Sequence, residues 1–195
     1  MKQTQGSPGL NERDLAVLRT GPLFSGLDAG SLERQLAVMR AEKALCPRGA
    51  MLQAAGAPIR RFGIVLSGAV QVCTDDIEGS RMIMAEVAPG NSFGESLCYL
   101  KTGESPVVIF ASEDSEVLWL STEPLYSDPG DTFLCNLQRR FTAALAAKAL
   151  TMNNRIQVLS RLTLRKKLTA YFTELAAAQG SDVIRLPMNR EDTAA

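Results

Sequence analysis

Residues 131–159 read DTFLCNLQRRFTAALAAKALTMNNRIQVL, and this stretch decides how the rest of the chain is interpreted. Apolar side chains recur in it every three or four residues, which places them on one face of a helix about 40 Å long. The members of this stripe are Leu134, Leu137, Phe141, Leu145, Ala149, Met152, Ile156 and Leu159.

The stripe predicts that two copies of the chain pair along this helix. It is narrow, closer to the contact line of a coiled coil than to the broad apolar face of a core helix. The helix is also longer than a small domain needs to cover its core. The alternative is a core helix within one chain. The predicted dimer contacts are Leu134, Leu137, Phe141, Leu145, Met152, Ile156 and Leu159.

The composition suits a soluble protein with one sizeable core, because 46% of the 195 residues are apolar and 22% are charged. No apolar run reaches the length of about eighteen residues that indicates a membrane helix. The polar N-terminus also lacks the apolar centre of a signal peptide. We therefore expect a cytoplasmic protein with no membrane segment.

The two parts of the chain carry opposite charge. Residues 1–130 contain 11 Lys or Arg and 16 Asp or Glu, whereas residues 131–195 contain 10 and 5. Such asymmetry indicates contact with nucleic acid or another polyanion. Basic residues on a long helix are, however, often only its solvated face.

The absence of histidine limits the chemistry of the chain. It excludes Ser-His and Cys-His nucleophilic pairs, histidine general bases and histidine-ligated haem, and it argues against a cupin-type metal oxygenase. No spaced acidic pair supports catalysis by carboxylates, so no enzymatic activity is predicted. The four cysteines form no Cys-x-x-Cys pair, so neither a zinc site nor an iron–sulfur cluster is expected.

Two short helices and a series of strands are predicted before the long helix. The helices are residues 11–19 and a segment capped by Asp28 or Ser31. Glycines then separate runs of β-forming residues at 50–53, 61–66, 69–74, 82–87, 107–112 and 116–120. This spacing is typical of an antiparallel sandwich or jelly roll, in which residues 66–70 form a tight hairpin and residues 75–79 an exposed loop.

A small second unit is predicted after the long helix. Ser160 or Thr163 caps a helix at 164–179 that Gly180 ends, and residues 182–186 form a strand. Asn189 is the N-cap of one more helix, within which the sequence stops. About 35 residues cannot build much of a core, so this unit is expected to be incomplete.

Four motifs occur in the order and at the spacing of one family of regulators. They are PLFSGL (22–27), IVLSGAVQV (64–72), PGNSFGE (89–95) and RLPMNRED (185–192). With them the chain resembles the cyclic-AMP receptor/fumarate-nitrate regulator (CRP/FNR) family of bacterial transcription regulators over nearly its whole length.

The resemblance implies an α+β fold with three parts. Residues 1–130 are expected to form a double-stranded β-helix, a jelly roll of the cyclic-nucleotide-binding kind that senses an effector. Residues 131–160 are then the dimerisation helix, and residues 161–195 the start of a winged helix-turn-helix DNA-binding domain.

The implied effector site departs from that of cyclic-nucleotide sensors. In those sensors Gly-Glu is followed about ten residues later by an arginine that pairs with the phosphate. Here Gly94 and Glu95 remain, but Ser105 and Pro106 occupy the arginine position. We therefore predict a small organic or anionic effector other than cyclic AMP, and its candidate residues are Gly94, Glu95, Ser105, Met152 and Asn153.

Simpler explanations stay open for these residues. In the simpler explanation, Gly94 only provides the positive φ of a turn, and the Glu95 carboxylate only accepts hydrogen bonds from nearby backbone amides. Asn153 then only sets the register of the paired helices. A diatomic gas sensor of unusual ligation and a thiol switch at Cys73 or Cys98 also stay open.

DNA binding is assigned to the basic residues after the long helix. The candidate contacts are Arg165, Lys166, Lys167, Asn189 and Arg190. The implied partners are a second copy of the chain, duplex DNA with an inverted repeat and a small effector, and the resemblance also allows RNA polymerase. The competing function is a sensor or protein-interaction module on the same roll without DNA recognition.

Overall fold

Capping residues set the first two helices in the computed structural model, which describes residues 9–75, 81–126, 132–160, 163–181 and 183–185. Helix α1 (Glu12–Thr20) begins at Asn11, which forms a reciprocal capping box with Asp14. Helix α2 (Ala29–Val38) begins at Asp28, whose carboxylate accepts from the Ser31 amide. Both predicted helices are confirmed, and each buries its apolar face.

The described residues contain eight strands in two antiparallel sheets. The strands are β1 (Glu42–Cys46), β2 (Met51–Gln53), β3 (Phe62–Ser67), β4 (Val70–Asp75), β5 (Arg81–Val87), β6 (Ser92–Phe93), β7 (Val108–Ala111) and β8 (Ser115–Leu120). One sheet has the order β1-β8-β3-β6 and the other β2-β7-β4-β5. Neighbours that are distant in sequence are typical of a jelly roll, which confirms the predicted architecture. Strands β1 and β6 were not expected from the sequence, and neither was helix α3 (Glu95–Leu100).

The turn at Gly68 is a corner between the two sheets, so the predicted hairpin is wrong. Strands β3 and β4 flank this turn but belong to different sheets. Gly68 has a φ of +77°, and a Cβ at this position would overlap the Asp114 carbonyl oxygen. The chain therefore crosses to the other sheet at a point that only glycine fits.

Helix α4 (Thr132–Leu159) confirms the predicted long helix. Its first turns belong to the first of two compact units, Met1–Leu145. There Leu137 and Phe141 are 0% and 3% exposed, in one core cluster with Phe62 and Leu118 of the roll. Leu145 is partly buried against the same cluster.

This packing corrects two of the predicted dimer contacts. Because Leu137 and Phe141 are buried in the core of their own chain, they cannot also face a second copy. The core-helix alternative therefore holds for this part of α4. Pairing through Leu134, Leu145, Met152, Ile156 and Leu159 stays a prediction.

The second unit, Ala146–Ala195, contains the end of α4 and helix α5 (Leu164–Gln179). Thr163 caps α5 by accepting from the Lys166 amide, and Gly180 ends it with a φ of +60°, both as predicted. Residues 183–185 are not in a strand, and the remainder of the strand predicted at 182–186 lies outside the described residues. No helix of the described chain is long and apolar enough to cross a membrane.

A buried ionic cluster fastens α1 to the first sheet. The Lys43 ammonium group on β1 lies 2.8 Å from Asp14 Oδ2 and 3.1 Å from Glu116 Oε1 on β8. Burial raises the pKa of Asp14, but hydrogen bonds from Lys43 and from the Asn11 amide outweigh it and hold the pKa below the usual range of an aspartate. Burial lowers the pKa of Lys43, but its two carboxylate partners outweigh burial and hold the pKa above the usual range of a lysine. The cluster therefore favours the charged form of both residues.

We expect Asp14→Asn to lower the free energy of unfolding by about 2 kcal/mol at neutral pH, because Lys43 then keeps only one carboxylate partner. Asparagine retains an oxygen for the capping box, so the loss of unfolding free energy measures the effect of removing the Asp14 charge. Asp28→Asn is the matched control, since that cap is exposed and Asn caps a helix as well as Asp does. Urea unfolding followed by circular dichroism measures both variants.

The pH dependence gives a second check on the cluster. A carboxyl group with a lowered pKa stabilises the fold above its unfolded value, and this stabilisation disappears as the pH falls through its folded value. The difference between wild type and Asp14→Asn should therefore shrink as the pH falls below the ordinary pKa range of an aspartate, and disappear below the lowered pKa of folded Asp14. If wild type and Asp14→Asn had the same free energy of unfolding at neutral pH, this would contradict the role given to Asp14.

Candidate effector-binding site

Gly94 and Glu95 lie where β6 passes into α3. Gly94 is the N-cap of α3 with a φ of +75°, and a Cβ at this position would lie 2.6 Å from Ile59 Cδ1. The Gly94 carbonyl oxygen accepts from the Cys98 amide and so starts the helix. Glu95, the first residue of α3, is 4% exposed. The turn therefore requires glycine and places the carboxylate of Glu95 inside the protein.

Glu95 lines a narrow cavity in the first unit. The volume open to the centre of a water-sized sphere is about 20 Å³. The cavity is enclosed by the segment after α1, strand β3, the turn before β6 and the first half of α4. Its lining residues are Leu18, Gly21, Pro22, Leu23, Phe24, Phe62, Ile64, Gly90, Ser92, Glu95, Phe141, Ala144 and Leu145.

Aromatic contacts fix α3 against α4 and against a 3₁₀ helix at Glu123–Tyr126. The Tyr99 ring stacks on the Tyr126 ring at a centroid distance of 5.1 Å and lies 5.3 Å from the Phe141 ring. Lys101 ends α3 in a left-handed conformation, and its Nζ lies 3.9 Å from the Tyr126 ring centroid. The helix that carries Glu95 therefore contacts α4 directly.

Ser105 is buried and uses its hydrogen-bond donors within the chain. Its amide donates to the Ala57 carbonyl oxygen at 3.0 Å, and its hydroxyl donates to the Val107 carbonyl oxygen at 2.8 Å. Its own carbonyl oxygen accepts from the Gly56 amide at 2.8 Å. Pro106, the next residue, has no N–H. The position at which cyclic-nucleotide sensors carry arginine therefore has no donor to spare for a phosphate.

The predicted effector residues do not all meet in this cavity. Glu95 lines it and Gly94 precedes Glu95, whereas Ser105 is not among the lining residues. Met152 and Asn153 are exposed and belong to the second unit, so their grouping with Glu95 stays a prediction. Residues 18–24 were not expected in the cavity wall, although the PLFSGL motif at 22–27 could have drawn attention to this segment.

The predicted DNA contacts fall in two groups. Arg165 and Lys166 are exposed and Lys167 is half-buried, all in the first turn of α5. Asn189 and Arg190 lie outside the described residues.

Comparison with known proteins decides which fold family the roll belongs to. Residues 45–127 match the family model of the cyclic nucleotide-binding domain. This range includes Gly94, Glu95 and Ser105. The roll of the cyclic-nucleotide-binding kind that the sequence predicts is thereby confirmed.

Solved structures share this fold at low sequence identity. The sensor domain of the transcriptional regulator DNR from Pseudomonas aeruginosa is 23% identical, with a TM-score of 0.54 over 76% of this chain and 93% of that one. A cyclic nucleotide-binding domain from Methylobacillus flagellatus is 20% identical, with a TM-score of 0.63 over 78% of this chain and 85% of that one. The catabolite activator protein of Thermus thermophilus is 24% identical, with a TM-score of 0.52 over 89% of this chain and 84% of that one. No curated protein sequence matches the chain.

Gly94→Ala tests the turn that positions Glu95. We expect it to lower the free energy of unfolding by about 2 kcal/mol, because alanine is strained in the left-handed region and its Cβ would press on Ile59. Gly56→Ala is the matched control, since Gly56 has the same φ of +75° with nothing within 4 Å of the added Cβ. It should cost only about 1 kcal/mol. Urea unfolding measures both variants, and an equal loss of unfolding free energy in Gly94→Ala and Gly56→Ala would show that Ile59 does not constrain the turn.

Proposed function

We propose that the chain is an effector-responsive, dimeric, DNA-binding transcription regulator of the CRP/FNR type that does not depend on cyclic AMP. The observation that carries this proposal is a roll of the cyclic nucleotide-binding kind continuous with the 28-residue helix α4. The likeness to the DNR sensor domain and to a catabolite activator protein supports it at the level of fold. The proposal includes no enzymatic activity.

Pairing of two copies is proposed for the second half of α4. There Met152 and Ile156 are 52% and 62% exposed in the single chain. Met152 and Ile156 are four residues apart on one helix face, as neighbouring contacts of a coiled coil are. Burial of these side chains between two copies would remove apolar surface from water and so favour the dimer.

Effector binding is proposed to act on α4 through α3. Glu95 and Tyr99 are four residues apart on α3, and the Tyr99 ring contacts Phe141 of α4. A ligand that prefers one arrangement of α3 would therefore shift the population of α4 arrangements. The dimer would pass this shift to its two DNA-binding parts, with RNA polymerase as a further partner.

DNA contact is proposed for Arg165, Lys166 and Lys167, which would neutralise phosphates and make the affinity depend on salt. A two-fold dimer would read an inverted repeat with half-sites about 34 Å apart. A sensor module without DNA recognition is the competing function, and the DNA measurement below separates the two.

Independence from cyclic AMP is supported by the hydrogen bonds of Ser105. Its amide and hydroxyl are both engaged within the chain, and Pro106 has no N–H. A cyclic phosphate bound here would lack the charge-assisted contacts that make such sites strong.

Met152→Glu should convert the dimer to a monomer at micromolar concentration, because two buried carboxylates would face each other across the contact. Thr151→Glu, at an exposed neighbouring position, adds the same charge and should leave the dimer intact. Light scattering coupled to gel filtration measures both variants.

The same variants test DNA recognition. Wild-type protein should enrich an inverted repeat from random duplex DNA, and Met152→Glu should bind the enriched site at least about 100-fold more weakly, because a monomer loses the second half-site. A monomeric wild type, or a Met152→Glu variant with unchanged DNA affinity, would argue strongly against the proposal.

Calorimetry with cyclic AMP tests the predicted independence from that nucleotide. We expect no saturable heat at micromolar ligand, because the arginine position offers no donor to the phosphate. Micromolar affinity for cyclic AMP would show that another group replaces the arginine.

A further inference from the structure

The cavity beside Glu95 is lined almost entirely by apolar groups. Glu95 and Ser92 are its polar side chains, and no Lys or Arg is among its lining residues. Both polar residues have interaction partners within the chain. A polar guest would have to compete with these partners or leave its own hydrogen bonds unmade, and an anion would find no cation in the wall. The lining therefore favours a guest that makes no hydrogen bonds.

Water is a poor occupant for the same reason. A buried water molecule makes about three hydrogen bonds, whereas cavities with apolar walls remain dry and take up apolar molecules. An apolar guest leaves the solvent and gains dispersion contacts with the wall, so its entry is favoured.

The volume of the cavity limits the guest to about two non-hydrogen atoms. At about 20 Å³ it exceeds the roughly 10–15 Å³ that one water molecule requires, but it is far below the roughly 150 Å³ of a cavity that admits benzene. Aromatic rings and nucleotide bases are therefore too large. Gly21 and Gly90 form part of the wall, and a Cβ on Gly21 would overlap the Gly90 carbonyl oxygen. The contact of these two backbones fixes that side of the cavity.

Helix α4 forms another part of the wall with three residues of one helix face, Phe141, Ala144 and Leu145. Ala144 contributes only a methyl group between two large side chains. The Arg140 guanidinium group donates to the Ser25 carbonyl oxygen at 2.6 Å, which ties α4 to the segment that places residues 21–24 in the wall. An occupant of the cavity would therefore touch α4 directly and lie beside a segment that is bonded to it.

We propose that this cavity, and not the Ser105 position, receives the effector, and that the effector is a small neutral molecule without hydrogen-bonding groups. Its contacts with Phe141, Ala144 and Leu145 favour the arrangement of α4 in which these side chains close around it. Binding thereby shifts the population of α4 arrangements. This inference rests on the proposed function, because it names the ligand class of that sensor.

Ethane is the probe and methanol its polar counterpart, because the two differ only in a methyl group replaced by a hydroxyl group. A guest of two non-hydrogen atoms binds no more tightly than about millimolar, so ethane is added under gas pressure. Amide chemical shifts of the ¹⁵N-labelled full chain follow the titration, and equal hydrostatic pressure without ethane controls for compression. We expect saturable shifts at Ser92, Phe141 and Ala144 with ethane, and none with methanol at the same concentration.

Two variants locate the binding. Ala144→Leu should abolish ethane binding by filling the cavity, whereas Ala143→Leu, at the exposed neighbouring position, should leave it unchanged. Methanol binding as tightly as ethane, unchanged ethane affinity in a folded Ala144→Leu variant, or no saturable shift in wild type would each overturn the proposal. The comparison of ethane with methanol uses the wild-type chain, so it decides even if a variant fails to fold.

The enriched inverted repeat tests whether the guest acts as an effector. Saturating ethane should change the affinity of wild type for that site by about fivefold or more, and an unchanged affinity would overturn the effector role. DNA binding without ethane binding would remove the ligand class and keep the regulator. Ethane binding without enrichment of an inverted repeat would keep the cavity as a ligand site and remove the regulator.

Discussion

The burial of Phe141 against the roll is the contact on which the rest of the first unit depends. Its ring lies 5.7 Å from Phe62 of β3 and 5.3 Å from Tyr99 of α3. A buried phenylalanine contributes about 1.5–3 kcal/mol, and ring pairs of this kind add about 0.5–1.5 kcal/mol each. One side chain of α4 therefore joins the sheet to the helix that carries Glu95. Without it neither the cavity nor the link from Glu95 to α4 would have a fixed geometry.

The existence and limits of α1, α2, α4 and α5, but not of α3, could be predicted from the sequence because they depend on local chemistry. Asn11, Asp28 and Thr163 cap helices through contacts within three residues, and Gly180 ends α5 by its own backbone freedom. The partner of α4 could not be predicted in the same way. A stripe of apolar residues has the same period whether it faces a second helix or a sheet, so only the structure assigns Leu137 and Phe141 to the core.

The strand order shows where local patterns stop being informative. The β-forming runs on each side of Gly68 were recognisable, but whether a turn closes a hairpin or crosses between sheets depends on distant residues such as Asp114. The candidate site was likewise predictable only in part. The motif identified Gly94 and Glu95, and the missing arginine was visible at Ser105. The hydrogen bonds that tie Ser105 to Ala57 and Val107, and the cavity wall at residues 18–24, arise only from tertiary contacts.

The ionic cluster of Asp14, Lys43 and Glu116 has a consequence for exchanging segments between related proteins. Helix α1 contains Leu18 of the cavity wall and is followed by Gly21, and its Asp14 pairs with Lys43 on β1, which also pairs with Glu116 on β8. A chimera that received only the first two dozen residues from a homologue would retain an ammonium group at Lys43 whose acidic partner on α1 could be missing. The N-terminal helix and these two strands therefore have to be grafted together, as one inherited block.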